Sequence, residues 1–418
     1  MDLLVPELSL PTEERAVQAV APPVTAPPRA LRRCFDDLPV WTESAVPDLL
    51  DRAAAYFEAD DAAGALACAE EAARQAPRSI EAHHDRAAAL MRLGRLDDAR
   101  EAVTLVLAMA PQDTQALELA ADLYVNHLAP SSERAAIGLA YARRASRGAG
   151  GMRARVARVS LLEGQALIDL GQAHQALRPL SRAVAMADGD LRPAATYELS
   201  VALFELARFD EAREQLEAVL ALEPDNAHAL FHMGLVLERA GALVEADAAF
   251  ARASELAPDS FPPLLLVSPR DFEERVRQAL AALPREAQES LHDVPVETAD
   301  LPALDDLVAE SPPLSPTILG LFRGLPLGRH AGPQVGTTAA RTKKGRSTSG
   351  RVPPGITAAA SPAQYSAPER AILLYRRNLL RTARTDAELD EAIARTLLHE
   401  VGHLQGEDDG SLRDRGLE

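Results

Sequence analysis

Cysteine is nearly absent: Cys34 and Cys68 are the only two in 418 residues. That is too few for a framework of several bridges, so nothing in the pattern requires an oxidising compartment. Aromatic residues make up 4% of the chain, while alanine, leucine and arginine dominate, which suits a mainly helical protein packed through small side chains. No apolar run approaches the ~18 residues needed to cross a bilayer. The N-terminus carries Asp2, Glu7, Glu13 and Glu14 among prolines, with no basic segment followed by an apolar one. Positive charge is also short: 44 Lys and Arg against 62 Asp and Glu give a net charge of -18. Such a surface repels a phosphate backbone and argues against a general nucleic-acid binder. The expectation is a cytoplasmic protein of two or three domains, with no membrane span and no nucleic-acid partner.

Proline is abundant where regular structure would be hardest to form. Residues 1–45 contain Pro6, Pro11, Pro22, Pro23, Pro27, Pro28 and Pro39, and are expected to form a flexible arm, with Phe35 and Trp41 docking it on the repeats. From 46 to 262 the chain repeats itself every 34 residues: Pro77 and Pro111 are that far apart, as are Pro224 and Pro258. Small residues recur at fixed offsets before each proline: Ala87 and Ala99, Ser200 and Ala212, Gly234 and Ala246. Gly94, Gly171 and Gly241 mark turns between paired helices. This pattern resembles tetratricopeptide (TPR) repeats, with five clear units and one degenerate unit over 113–150. The resemblance implies an α-solenoid of helix-turn-helix repeats whose concave groove binds a protein or peptide. His228 and His232, four residues apart on one helix, lack an adjacent glutamate and a third ligand and are expected to line the groove or face solvent.

A different pattern begins at 268. Ser268-Pro269-Arg270-Asp271 opens a helix, and short extended segments come after it at 294–298, 318–324 and 371–376. Between the last two, residues 331–368 hold Arg341, Lys343, Lys344, Arg346 and Arg351 and no acidic residue. That insertion is expected to be disordered, a tolerated loop expansion rather than a basic tether or a nucleic-acid contact.

The chemistry lies near the C-terminus, where His399-Glu400-Val401-Gly402-His403 is followed by Gly406 and Asp409. Histidines four apart share one helix face and can grip a single metal ion. Two imidazoles and a carboxylate are ligands that a catalytic zinc prefers, with a position left for water that Glu400 can deprotonate. Thr385 and Glu388 form a capping-box pair, and Leu389, Ile393, Leu397, Val401 and Leu404 form an apolar stripe, so the motif sits on an amphipathic helix. Gly406 stops that helix and lets Asp409 return as third ligand, although Glu407 and Asp408 compete with it.

Residues 268–418 resemble small bacterial zincin-like metallopeptidases, through Phe272-Glu273-Glu274-Arg275-Val276, Val294-Pro295-Val296-Glu297, Leu319 to Gly324, Ile372 to Arg376, and the helix bearing the motif. The resemblance implies a reduced zincin: a small mixed sheet over an active-site helix, one Zn²⁺ per chain on His399, His403 and Asp409, and Glu400 as general base. Tyr375 and Arg376 are expected to assist the oxyanion from a strand flanking the cleft. The fold class is therefore mainly α, a TPR solenoid followed by a small α+β minimal zincin-like domain. The functional expectation is a zinc metallopeptidase whose repeats bind a protein substrate or partner, brought to the site through a short tether at 260–269. The alternative is an interaction scaffold whose metal-binding domain is structural or inactive.

Overall fold

Pro77, Pro111 and Pro224 each stand just after a helix has ended, and the polar residue two positions later starts the next one. The computed structural model describes residues 45–327 and 370–417. The arm expected over 1–45, except its last residue, and the insertion 331–368 lie outside the described residues. Ser79, Asp113 and Asn226 accept hydrogen bonds from the N–H groups of Ala82, Ala116 and Ala229 at 3.2, 2.8 and 2.9 Å. Each satisfies one of the N–H groups that a helix start leaves open.

Two compact units divide the described residues, one holding those up to Pro130 with Ala140–Gly148, the other Ser131–Leu139 and those from Ala149 on. In the first unit, α1 (Ala45–Glu58) packs on α2 (Ala62–Gln75), and α3 (Ile80–Arg92) on α4 (Leu96–Met109). The next helix, α5 (Thr114–Asp122), runs into a π turn at Leu123–His127, and α6 (Ser132–Gly148) contributes residues to both units. Leu66, Ala87, Leu90, Ala99 and Val103 build the first unit's core. Cys68 is fully buried in the same unit, packed with Leu49, Ala53 and Ala72.

The second unit begins with three hairpins: α7 (Arg153–Asp169) with α8 (Ala173–Met186), α9 (Leu191–Glu205) with α10 (Phe209–Leu222), and α11 (Ala227–Arg239) with α12 (Leu243–Leu256). The hairpin turns put one residue in the left-handed region, Gly171 at φ 67°, Gly241 at 76° and, in the middle hairpin, Ala207 at 55°. His232 is half-buried: its ring meets Tyr197 and Phe231 edge-on, and the Tyr197 hydroxyl lies 3.1 Å from Nδ1.

Residues 261–268 run without regular structure, yet they are not a loose tether. Leu264 packs into the repeat core, and Leu265 and Val267 into the core of the C-terminal domain. The repeats of this unit and the C-terminal domain thus share a framework, which replaces the expected tether.

That domain opens with α13 (Pro269–Ala282) and α14 (Arg285–Ser290), then β1 (Val296–Ala299), the short α15 (Leu304–Leu307) and β2 (Gly320–Arg323). After the insertion come β3 (Ala371–Tyr375), α16 (Arg376–Thr382), α17 (Asp386–Gln405) and α18 (Asp409–Asp414). The sheet order is β1-β3-β2, with β1 parallel and β2 antiparallel to β3, so the last strand in sequence is the central one. Its five residues are all buried, as a strand covered on both faces must be. Ile372 and Leu374 face α17, whose Leu389, Ile393, Leu397, Val401 and Leu404 are buried against them with Phe272 and Val276 of α13. Full burial of each such side chain contributes about 1.5–3 kcal/mol, which holds the long helix flat under the sheet.

Candidate metal and hydrolytic centre

The helix α17 starts and stops on residues that its sequence supplies. Thr385 Oγ1 accepts the N–H of Glu388 at 3.2 Å, and Glu388 reaches back to the N–H of Arg384 at 2.7 Å, one residue beyond the expected partner. Gly406 caps the other end at φ 94°, where a side chain would be strained. The N–H of Glu407 returns to the Gly402 carbonyl at 2.9 Å, and the chain turns directly into α18. Gly402 permits this approach, because a Cβ there would collide with the Leu412 side chain of α18.

The turn sorts the three competing carboxylates. Asp408 is the N-cap of α18, accepting from the Ser411 N–H and hydroxyl at 2.8 and 2.9 Å, and these bonds hold its pKa below the ordinary value. Glu407 pairs with Arg415. Asp409, at the first position of α18, points back at the histidines: its Oδ1 lies 3.2 Å from His403 Nε2 and 3.9 Å from His399 Nε2.

Both imidazoles are oriented from behind by main-chain carbonyls, His399 Nδ1 by Leu417 at 2.7 Å and His403 Nδ1 by Glu407 at 3.1 Å. A carbonyl only accepts, so Nδ1 carries the proton and each Nε2 presents a lone pair. The two Nε2 atoms are 3.0 Å apart, and among the described residues His399, His403 and Asp409 are the group of three whose ligand atoms all lie within 4.8 Å of one another. Ligands ~2.0–2.1 Å from a tetrahedral zinc stand about 3.3–3.4 Å apart, so the separations of 3.0, 3.2 and 3.9 Å fit that geometry.

Glu400 is 5% exposed. Burial pushes its carboxyl up to about 7, with the Asp409 charge adding to the rise and the Phe322 N–H, which it accepts, opposing it. Gly320 and Phe322 alternate with the β2 residues that bond to β3, so their backbone groups face the free edge of the sheet. A Cβ on Gly320 would lie 2.7 Å from Thr396 and 2.9 Å from Glu400 Oε1, so only glycine lets the strand come this close to the acid. Sequence reading placed Gly320 on a strand but did not single it out. The signal was a glycine inside an apolar extended run, which marks close approach. Beside His399 and Glu400 opens a cavity of about 520 Å³, walled by Ile318, Leu319, Gly320, Thr396 and Leu417.

Tyr375 and Arg376 do not join this cavity. Tyr375 points to the opposite face of the sheet, against Ala299, Ile318 and Leu321, and burial raises its phenol well above the ordinary value. Arg376 starts α16 rather than ending the strand, and its guanidinium is held by Asp300 at 2.7 Å and the Val267 carbonyl at 2.9 Å. Strand alternation in one case and prior pairing in the other keep the two residues expected to assist an oxyanion out of this cavity.

The family model for zincin-like metallopeptidases matches residues 352–417. Two tetratricopeptide-repeat models match residues 56–123 and, in two stretches, 161–213 and 197–261. No curated protein matches the chain. Among solved structures, Pseudomonas aeruginosa PilF is 15% identical, with a TM-score of 0.44 over 56% of this chain and 98% of its own. A thermophilic TPR protein of Thermus thermophilus is 22% identical, with a TM-score of 0.37 over 46% of this chain and 99% of its own. No helix of the described residues is long and apolar enough to cross a membrane. The chain joins tetratricopeptide repeats, within residues 56–261, to a zincin-like metallopeptidase domain matched over residues 352–417.

Proposed function

We propose that the chain is a zinc-dependent peptidase, with His399, His403 and Asp409 holding one zinc ion and Glu400 acting as general base. The observation that carries this reading is the meeting of two bare imidazole nitrogens, a carboxylate and a buried acid at the free edge of a strand. Zinc bound by such a set supplies the Lewis acidity that makes water a nucleophile near neutral pH and polarises a carbonyl. Glu400 takes the proton of the attacking water and passes it to the leaving amine, a task suited to a carboxyl whose pKa lies near 7. A substrate segment pairs in extended form with the backbone groups of Gly320 and the Phe322 carbonyl, as peptides do at open sheet edges. The TPR repeats bring in protein interaction, and we assign their groove to a protein substrate or partner.

The test is Glu400→Gln in the full chain, compared with wild type for bound zinc and for cleavage products across a cell extract. The variant is expected to keep about one zinc per chain and to lose at least ~100-fold in cleavage. A variant as active as wild type removes Glu400 from the mechanism. Zinc-loaded wild-type protein with no products beyond those of the variant favours the scaffold alternative.

A further inference from the structure

The last turn of α11 carries two charged residues in succession, and both reach into the C-terminal domain. Glu238 has a fully buried carboxylate between Arg377 and Arg381 of α16, with Arg377 Nε at 2.5 Å and Arg381 paired to the other oxygen. The far end of the Arg377 guanidinium meets Asp247 of α12 at 2.7 Å. Arg239 donates to two main-chain carbonyls, Pro302 and, at 2.8 Å, Pro316, while its guanidinium lies 5.3 Å from the centre of the Phe209 ring. Asn378, buried on α16, donates to the same Pro316 carbonyl at 3.1 Å and to that of Ile318 at 2.7 Å.

One turn of a repeat helix thus holds two separate pieces of the neighbouring domain, α16 and the strap 302–319. Those pieces form walls of the cavity beside the proposed metal ligands, through Thr382 of α16 and Ile318 and Leu319 at the end of the strap. The strap also sets the position of β2. Leu319 accepts the N–H of Tyr375 at 2.9 Å, which fixes β2 on β3 and places the Phe322 N–H on Glu400. A buried carboxylate is tolerated only while its partners stay, and an arginine forked onto two carbonyls has no slack to give.

We propose that Glu238 and Arg239 are positioning residues of the hydrolytic site, so that the last repeat is a built-in part of the cleft and not a detachable targeting module. The inference rests on the peptidase reading for the site it positions, but the clamp is an observation about the repeats. Its consequence is that the walls of the cleft and the depth of β2 depend on α11, which sits in the repeat array. A displacement of ~1 Å at a hydrolytic centre costs about 100-fold in rate.

The experiment uses the full chain with Arg239→Gln, Arg239→Lys and Glu238→Gln, reading hydrogen exchange, bound zinc, and kcat and KM on quenched fluorescent casein. Arg239→Gln is expected to speed exchange at least ~10-fold over 302–322 while 389–405 and the zinc content stay as in wild type. Its kcat is expected to fall about 10- to 100-fold with KM little changed, and Arg239→Lys, which keeps the charge but not the planar fork, to recover part of it. Glu238→Gln is expected to loosen 376–382 in the same way; if it fails to fold, the Arg239 pair decides alone. Unchanged exchange over 302–322 in Arg239→Gln overturns the clamp, and faster exchange with unchanged kcat overturns its role in catalysis. Casein cleavage that survives Glu400→Gln, or is absent from wild type, sinks the peptidase reading instead, and the exchange data still judge the clamp.

Discussion

Three consecutive acids come after the glycine that ends α17, and their side chains do three different things. Asp408 caps α18, Glu407 neutralises Arg415, and Asp409 turns toward the imidazoles. The spacing of the motif left all three open, because a turn of left-handed backbone can present any of them; the difference lies in which N–H groups and which guanidinium are nearby. The roles predict different losses. Asp409→Ala should lower zinc affinity by at least ~10-fold with little change in the unfolding curve of the metal-free protein, since its carboxylate is exposed. Asp408→Ala should instead lower the urea midpoint of the metal-free protein through the lost cap. Zinc titration with a chelating indicator and urea unfolding of the metal-free protein separate the two. The reverse pattern would exchange the two assignments.

At the scale of elements, helices were legible and strand order was not. The capping residues, the 34-residue spacing of the prolines and the apolar stripe on α17 are local, and local rules give helix ends. Three short extended segments carry no record of which one is central. The order β1-β3-β2 reflects burial: Ala371 to Tyr375 has apolar side chains on both faces, and only the middle position covers both. The same alternation turns Tyr375 away from the cleft that Ile372 and Leu374 back. The repeats also show one local rule broken. Ala207 occupies, at φ 55°, the turn position that glycine fills at Gly171 and Gly241. Ala207→Gly should therefore raise the free energy of unfolding by about 0.5–1 kcal/mol, the relief of left-handed strain exceeding the entropy added to the unfolded chain. Chemical denaturation measures this directly. A loss of stability would show that the methyl group packs better than its backbone suggests.

At the scale of the molecule, one half-buried ring makes stability depend on pH. Burial holds His232 down to about 4, against the partial offset of the His228 carbonyl. A histidine whose folded pKa lies below its unfolded value of about 6.5 favours the folded state only while it is neutral. Its contribution is therefore full above that value and is lost as pH falls toward 4. Urea midpoints of wild type should fall between pH 6.5 and 4.5 more steeply than those of His232→Gln, after allowance for the variant's lower plateau at pH 7.5. Parallel curves would mean that the ring stays solvated in solution.

The sequence by itself determined the features that depend on neighbours along the chain: helix starts and stops, the repeat period, the face that carries His399 and His403, and the acid beside them. Only the tertiary structure decided the features that depend on distant segments meeting. It put Phe322 and Gly320 against Glu400 across some 80 positions of sequence, turned Asp409 rather than its two acidic neighbours toward the imidazoles, and set Glu238 and Arg239 of the last repeat against α16 and the strap. The physical reason is that propensity and capping act over a helical turn, whereas desolvation and the pairing of buried charge are defined only when the chain has closed on itself.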